Sequence, residues 1–291
     1  MILPRLIAVC LLISSLSPLK AVETVVDSSP TFNTNNNISS SVSGWSSGWG
    51  TGNTNTAWNY VGQVSDASGV YLGNGWVLTA AHVNSPTTFT LDGNVYNNTG
   101  IYYSNFTNTL TGTTNADLTL FQISTVSTTG TNLPLTYNLT ITSTTPVPGQ
   151  QVVMFGYGYT NGVGPESWGT NSVYLVNQPL SVNGFESIDF TTINSAAIYG
   201  TVVLGDSGGG DFIMVGTNWE LAGINEAIVN YTPSGTGSAF VQLSPYQAQI
   251  SAIVNSVPEP STWALLSIGL LLIALPLWRE QRKAKTTRPR P

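Results

Sequence analysis

Short runs of β-branched and aromatic residues, separated by glycine, asparagine and aspartate, dominate the chain between residues 60 and 242. Such runs, with turn-forming residues at regular intervals, are typical of β-strands joined by tight turns. Many short strands of this kind predict an all-β fold, either a barrel or a sandwich. The predicted strands cover residues 60–64, 69–72, 75–79, 88–91, 95–96, 101–103, 118–123, 151–157, 172–176, 188–190, 212–215, 221–224 and 239–242.

Helical periodicity is confined to one segment at the end of this β-rich region. Residues 245–254 place Tyr246, Ile250, Ile253 and Val254 at positions that share one face of a helix. This spacing predicts a short closing helix.

The first 57 residues differ from the β-rich body. Residues 1–21 contain a basic residue, an apolar run and a final small residue, which is typical of a secretory signal peptide; an uncleaved anchor is the alternative. Residues 22–57 are rich in Ser, Asn and Thr and predict a flexible spacer or propeptide. Trp45, Trp49 and Trp58 are too apolar for a pure linker, and we expect them to dock on the body.

The last segment, residues 256–291, carries a second recognisable pattern. The sequence Val-Pro-Glu-Pro-Ser precedes an apolar run at residues 263–278 and a basic tail. As a helix this run would be about 24 Å long, shorter than a hydrocarbon core of about 30 Å. The basic tail predicts a cytoplasmic terminus, with the body outside. The three-part pattern resembles the PEP-CTERM sorting signal of Gram-negative bacteria, which implies processing by an exosortase; a plain single-pass anchor is the alternative.

Charge is distributed unevenly along the chain. All eight Lys and Arg residues lie at or before Lys20 or at or after Arg279, and of the 14 acidic residues only Glu280 lies outside this interval. The body therefore carries 14 − 1 = 13 acidic side chains and no Lys or Arg. A field of this sign repels nucleic acid and attracts basic peptides or cations, so no nucleic-acid partner is expected. A simple solubility bias of the surface explains the same composition.

The body contains few residues that could bind a metal. Cys10 is the only cysteine and lies in the predicted signal peptide, so the mature protein is expected to lack disulfides and to depend on its core for stability. With one histidine and no cysteine, the body offers no cluster of zinc ligands. We therefore expect no metal and no other cofactor.

Three short motifs contain the residue types of nucleophilic catalysis. His82, the only histidine, ends the sequence Val-Leu-Thr-Ala-Ala-His; Asp117 lies in Ala-Asp-Leu; and Ser207 lies in Gly-Asp-Ser-Gly-Gly. A serine hydroxyl is a poor nucleophile at neutral pH and needs a base with a pKa near 7, which only His82 can provide. Singly, these residues are equally explained as an isolated imidazole, a turn cap and a loop serine. Together, in this order, they indicate a catalytic triad.

The same motifs resemble the signature segments of the trypsin/chymotrypsin-like serine peptidases, within a predicted domain at residues 58–255. The resemblance implies two six-stranded β-barrels with the site between them. It also implies that Ser207 forms an acyl-enzyme, that His82 is the base and that Asp117 orients the imidazole. The backbone N–H groups of Gly205 and Ser207 would then form the oxyanion hole.

Substrate preference is only partly encoded in the sequence. By register with the family, Thr201 lies at the base of the substrate pocket, which does not support a preference for Lys or Arg. Asn225 and Glu226 lie in a segment that resembles the pocket wall, where Glu226 either favours a basic group in the substrate or is a solvated strand-end carboxylate. We expect a small or apolar residue before the cleaved bond. Asp206 also needs a partner, because the body offers no trypsin-type cleavage site that would free a new N-terminal amine for it.

The sequence thus predicts a secreted, surface-sorted bacterial serine endopeptidase that acts at the cell surface or in the extracellular space. Its expected partners are a protein or peptide substrate, an exosortase that acts on the C-terminal tail, and the membrane, at least transiently, through residues 263–278. Two alternatives remain open at this point. One is a catalytically idle protease-like binding or matrix protein of the cell surface, and the other is an esterase that uses the same residues.

Overall fold

The computed structural model describes residues 23–26, 29–32, 34, 38–49, 55–134, 139–159, 162–194, 200–231 and 235–256. Within these ranges no helix is long and apolar enough to cross a membrane. The predicted signal peptide at residues 1–21 and the apolar segment at residues 263–278 lie outside the described residues.

Two short strands and one helical turn precede the barrels. They are β1 (Glu23–Val26), β2 (Ser29–Phe32) and α1 (Ile38–Ser41). β1 pairs antiparallel with β2 and with a two-residue strand at Gly200–Thr201, which forms a small three-stranded sheet. The sequence did not predict this sheet, because residues 22–57 show little of the alternation that identifies a strand.

The N-terminal barrel is closed, in the strand order β3-β4-β5-β8-β7-β6. Its interior is filled by buried aromatic and β-branched side chains that include Tyr71, Phe89 and Phe121. β5 is buried at every position, as a continuous apolar run predicts. The strands are β3 (Val61–Val64), β4 (Ala67–Gly73), β5 (Trp76–Thr79), β6 (Thr88–Leu91), β7 (Asn94–Tyr103) and β8 (Thr119–Ile123).

The C-terminal barrel is also closed, in the order β10-β11-β15-β14-β13-β9, and β12 lies outside this ring in the small sheet. Helix α2 (Gln247–Val254) follows the barrel and buries Ile250 and Val254, as its spacing predicted. The strands are β9 (Gln151–Tyr159), β10 (Gly162–Val182), β11 (Phe185–Thr192), β12 (Gly200–Thr201), β13 (Gly210–Val215), β14 (Asn218–Tyr231) and β15 (Gly235–Gln242).

The prediction of an all-β fold with two six-stranded barrels and a short C-terminal helix is therefore confirmed. The largest difference in detail is β10, which spans 21 residues although only 172–176 were predicted. The pairings of β10 with β9 and β11 contain register shifts, and Pro165 and Pro179 lie within the strand. Bulges and prolines interrupt the period-two pattern by which a strand is recognised.

A large core cluster joins the two barrels and includes part of the segment that precedes them. Trp45 is 2% exposed and stacks on Phe155 of β9, with ring centroids 5.6 Å apart. Trp219 Nε1 donates a hydrogen bond to the carbonyl of Gly44 at 3.1 Å. Trp49 also packs in this cluster, against Phe212 at 5.3 Å. The docking expected of these tryptophans is confirmed, so residues 38–49 contribute to the core.

Candidate active site

The pairing of β5 with β8 brings His82 and Asp117 together. Thr79, the last residue of β5, pairs with Thr119, the first residue of β8. A 3₁₀ turn at Ala81–Val83 follows β5 and carries His82, while Asp117 lies two residues before β8. Because the strands are antiparallel, the residue after one strand and the residue before the other lie at the same edge of the barrel.

Asp117 binds His82 through both carboxylate oxygens. The His82 Nδ1 lies 2.5 Å from Asp117 Oδ2, and the His82 backbone N–H donates to Oδ1 at 2.8 Å. Asp117 is fully buried, and this contact is the single ion pair among the residues that the structure describes. A carboxylate at Nδ1 fixes the proton there, which leaves the lone pair of Nε2 free to accept.

Ser207 completes the arrangement. Its Oγ lies 2.8 Å from His82 Nε2, within hydrogen-bonding distance. Ser68 of β4 holds the serine loop against the N-terminal barrel, because its N–H donates to the Ser207 carbonyl at 2.9 Å and its Oγ donates to the Gly205 carbonyl at 3.0 Å. The three residues predicted as a triad thus form a continuous chain of contacts from Asp117 through His82 to Ser207.

The surroundings of His82 increase its basicity. Burial alone lowers the pKa of the imidazole. The hydrogen bond and the charge of Asp117, with a further contribution from the charge of Glu226, outweigh this effect and raise the pKa above its ordinary value. An imidazole with these neighbours is suited to accept a proton and to remain stable as a cation.

The loop that carries Ser207 also presents two backbone N–H groups. Among the hydrogen bonds of the described residues, neither the Gly205 N–H nor the Ser207 N–H has an acceptor. Gly205 has a φ of 94°, in the region that glycine adopts at little cost. Free N–H groups beside a nucleophile are suited to bind a developing oxyanion.

The buried carboxylate of Asp206 has backbone partners. Its Oδ1 accepts from the Gly158 N–H at 2.8 Å, and its Oδ2 accepts from the Val203 N–H at 2.9 Å. A Cβ on Gly156 or Gly158 would come closer than 3.0 Å to this carboxylate, so the two glycines make room for it. These two bonds fix the loop that leads into Ser207.

The residues predicted for the substrate pocket have varied surroundings. Thr201 is half-buried, and its Oγ1 lies 3.1 Å from Ser238 Oγ. Asn225 is 1% exposed and donates from Nδ2 to the Phe155 carbonyl at 2.8 Å, while Glu226 is 5% exposed. The burial of Asn225 and Glu226 does not favour direct contact with a substrate, and their placement in the pocket stays a prediction.

Sequence reasoning missed the residues that support Asp117. The Asp117 N–H donates to Ser187 Oγ at 2.9 Å, and Ser187 Oγ donates to Glu226 Oε1 at 3.1 Å. Asp189, two residues along β11, is fully buried. Alternating polar residues in a strand normally predict a solvent-facing side, so no signal in the sequence identified Ser187 and Asp189 as internal. The pairing of Glu226 with Ser187 likewise requires the fold.

Comparison with known proteins gives a family match that covers both barrels. The sequence model of the trypsin family matches residues 48–250. No curated protein matches the chain. Among solved structures, the chain is similar to the inactive form of a serine-to-alanine mutant of Rv3671c from M. tuberculosis H37Rv, with 16% identity, 69% of this chain and 90% of that chain covered, and a TM-score of 0.46.

Proposed function

The chain belongs to the trypsin family, and we propose that it is a serine endopeptidase that cleaves peptide bonds through Ser207, His82 and Asp117. The observation that carries this proposal is the 2.8 Å contact between His82 Nε2 and Ser207 Oγ, with Nδ1 of the same ring engaged by Asp117. In this arrangement the hydroxyl proton has an acceptor in place, which is what a serine nucleophile needs.

The reaction proceeds in two halves. His82 Nε2 takes the proton of Ser207 as Oγ attacks the carbonyl carbon of the substrate, and the Gly205 and Ser207 N–H groups bind the resulting oxyanion. The imidazolium, stabilised by Asp117, gives its proton to the leaving amine as the C–N bond breaks. Water then enters, loses a proton to His82 and attacks the acyl carbon. His82 returns this proton to Ser207 Oγ as the ester bond breaks and the acyl group leaves.

Export and sorting are part of the same proposal. We propose that residues 1–21 direct secretion and that residues 256–291 act as a PEP-CTERM signal recognised by an exosortase, with transient or lasting membrane contact through residues 263–278. The support for this is the order of the motifs in the sequence.

Hydrolysis of a mixture of denatured proteins tests the proposed activity. The purified protein is incubated with the mixture, and mass spectrometry identifies newly formed peptide termini; Ser207→Ala, which keeps the fold and removes only the hydroxyl, is the matched control. New internal termini that disappear in S207A support an endopeptidase. Cleavage of ester substrates without new peptide termini would indicate the esterase, and inactivity towards both classes would indicate the idle binding protein.

A further inference from the structure

Two buried acids, Asp189 of β11 and Glu226 of β14, lie next to each other beside the triad, and we name them the buried acid pair. Asp189 is fully buried and Glu226 is 5% exposed. Their carboxyl groups are within hydrogen-bonding reach of each other. Neither acid belongs to the mechanism described above, and acids this deeply buried are retained only where they are paired or hydrogen-bonded.

A directed chain of hydrogen bonds links this pair to Asp117. Ser187 Oγ accepts from the Asp117 N–H, so its single proton is free to point only towards Glu226 Oε1. Glu226 Oε1 is therefore an acceptor in this chain. A carboxyl oxygen that accepts such a bond is the favoured location for negative charge.

The remaining oxygens of the pair show where its proton lies. Glu226 Oε2 and both oxygens of Asp189 have no hydrogen-bond donor among the described residues. Two carboxylates cannot bond to each other, and no Lys or Arg exists in the body to neutralise them. One proton can join an oxygen of Asp189 to Glu226 Oε2, and because the Ser187 bond at Oε1 favours the charged form of Glu226, Asp189 is the donor and Glu226 the acceptor.

The backbone explains why Glu226 faces inward. The register of β14 with β15 shifts between Asn225 and Ala227, which places Glu226 in a bulge, and bulges redirect side chains. The same stretch of β14 is bonded to the serine loop, because the Gly208 N–H donates to the Asn225 carbonyl and the Asn225 N–H donates to the Gly209 carbonyl, both at 2.9 Å. Glu226 is thus fixed between the serine loop and the support of Asp117.

Other titratable groups around the pair come from several elements. Tyr246, which precedes α2, accepts from the Ile188 N–H at 3.2 Å. Burial and the charges of Asp189 and Glu226 raise the pKa of its hydroxyl. Tyr231 of β14 lies near Asp189. On the side of the triad, Asp117 and His82 lie near Glu226, and His82 is the only one of these four groups that becomes a cation.

We propose that Glu226 is a positioning residue of the peptidase, which carries the negative charge of the buried acid pair and thereby maintains the basicity of His82 through the Ser187–Asp117 support. This inference rests on the proposed function and adds to it the control of the catalytic base. The role follows from the contacts of Ser187 with Asp117 and Glu226.

The expected ionisation of the pair agrees with this geometry. Burial raises the pKa of Glu226 to about 7, while its hydrogen bonds with Asp189 and Ser187 limit the increase. Burial and the neighbouring Glu226 raise the pKa of Asp189 well above its usual value, so Asp189 keeps its proton when Glu226 ionises.

Titration of His82 by NMR tests the proposal directly. Because His82 is the only histidine, the full-length protein without a histidine tag gives a single set of imidazole signals, which needs no assignment to a residue. Glu226→Gln removes the charge but keeps the shape, and we expect it to lower the pKa of His82 by about one pH unit. Glu186→Gln, an exposed acid next to Ser187, is the matched control and should cause no measurable shift. An unchanged titration in E226Q would overturn the proposal.

Two further variants keep the test decisive if E226Q does not fold. Ser187→Ala removes the donor to Glu226, which disfavours its charge, so the pKa of His82 should fall in the same direction by a smaller amount. Asp189→Asn keeps a donor towards Glu226 and should leave the pKa of His82 near that of the wild type. A shift in D189N as large as that in E226Q would place the charge on Asp189 and refute the assignment.

The pH profile of kcat/KM separates this inference from the proposed function. In the active enzyme, the acidic limb of the profile should move to lower pH in E226Q and remain in place in E186Q, following the NMR values. A wild-type protein without hydrolytic activity would refute the peptidase while the NMR titration still tests Glu226. An active E226Q enzyme with an unmoved acidic limb would refute only the role of Glu226.

Discussion

Substitution of Gly208 by alanine should damage the site more than its small size suggests. Gly208 follows Ser207 and has a φ of 84°. A Cβ at this position would lie closer than 3.0 Å to Thr79 Oγ1 and to the Ser68 carbonyl oxygen. These two atoms are themselves hydrogen-bonded to each other at 2.7 Å, and the N–H of Ser68 holds the Ser207 carbonyl, so the alanine can be accommodated only by moving the serine loop.

The expected loss of free energy of unfolding in Gly208→Ala has two separable parts. The left-handed backbone costs alanine about 1–2 kcal/mol, and forced overpacking costs about 1–3 kcal/mol more. Gly216 provides the matched control, because it also has a positive φ, 62°, but a Cβ there meets no atom within 4 Å. We therefore expect Gly216→Ala to lower the free energy of unfolding by about 1–2 kcal/mol and Gly208→Ala by about 2–5 kcal/mol.

Urea unfolding and peptide hydrolysis measure these effects together. A loop displacement of about 1 Å is expected to reduce kcat/KM about 10²-fold in G208A, because Ser207 Oγ leaves its position against His82. G216A should retain the activity of the wild type. If the two variants lose equal stability and G208A keeps full activity, the close contact of the serine loop with the N-terminal barrel does not position the nucleophile.

Three other predictions follow from buried groups. Asp206→Asn should lose a charge-assisted bond to a backbone N–H, which lowers the free energy of unfolding in urea by about 1.5–3 kcal/mol and reduces peptide hydrolysis. Burial and the charge of Asp206 raise the pKa of Asp211, so ionisation of Asp211 destabilises the folded state as pH rises above about 4. The variant Asp211→Asn should therefore melt at a temperature similar to that of the wild type at acidic pH. Above neutral pH its melting temperature should be higher than that of the wild type. Trp45→Ala should lower the free energy of unfolding in urea by about 3–5 kcal/mol, whereas a change near zero would show that residues 38–49 are not part of the folded domain.

Local pattern was enough to predict the parts of the fold that follow simple rules. β5 and β8 lie within the predicted strands at residues 75–79 and 118–123, so both strands were visible in the sequence, whereas their pairing was not. The helix after the second barrel was equally clear from the spacing of Ile250 and Val254. Features that break period two, such as the bulged β10, were largely missed because bulges and prolines interrupt the alternation by which a strand is recognised.

In the candidate site, too, some residues were predicted from the sequence and others were not. His82, Asp117 and Ser207 were identified because three motifs carry the residue types of a triad in the order His, Asp, Ser, and the structure brings these three residues together. Ser187 and Glu226 were not identified as a pair, since their contact joins β11 to a bulge in β14. An acid in a strand predicts solvent exposure, whereas the bulge in β14 turns Glu226 inward.

Labelling with a fluorophosphonate probe tests the central claim, an activated Ser207, most directly. The probe forms a bond to an activated serine oxygen, and mass spectrometry of the digested protein identifies the modified residue. The account predicts one adduct on Ser207, no adduct in S207A, and labelling slowed by more than about 10³-fold in His82→Ala. A correctly folded wild-type protein that is not labelled, or that is labelled equally fast in H82A, would contradict it.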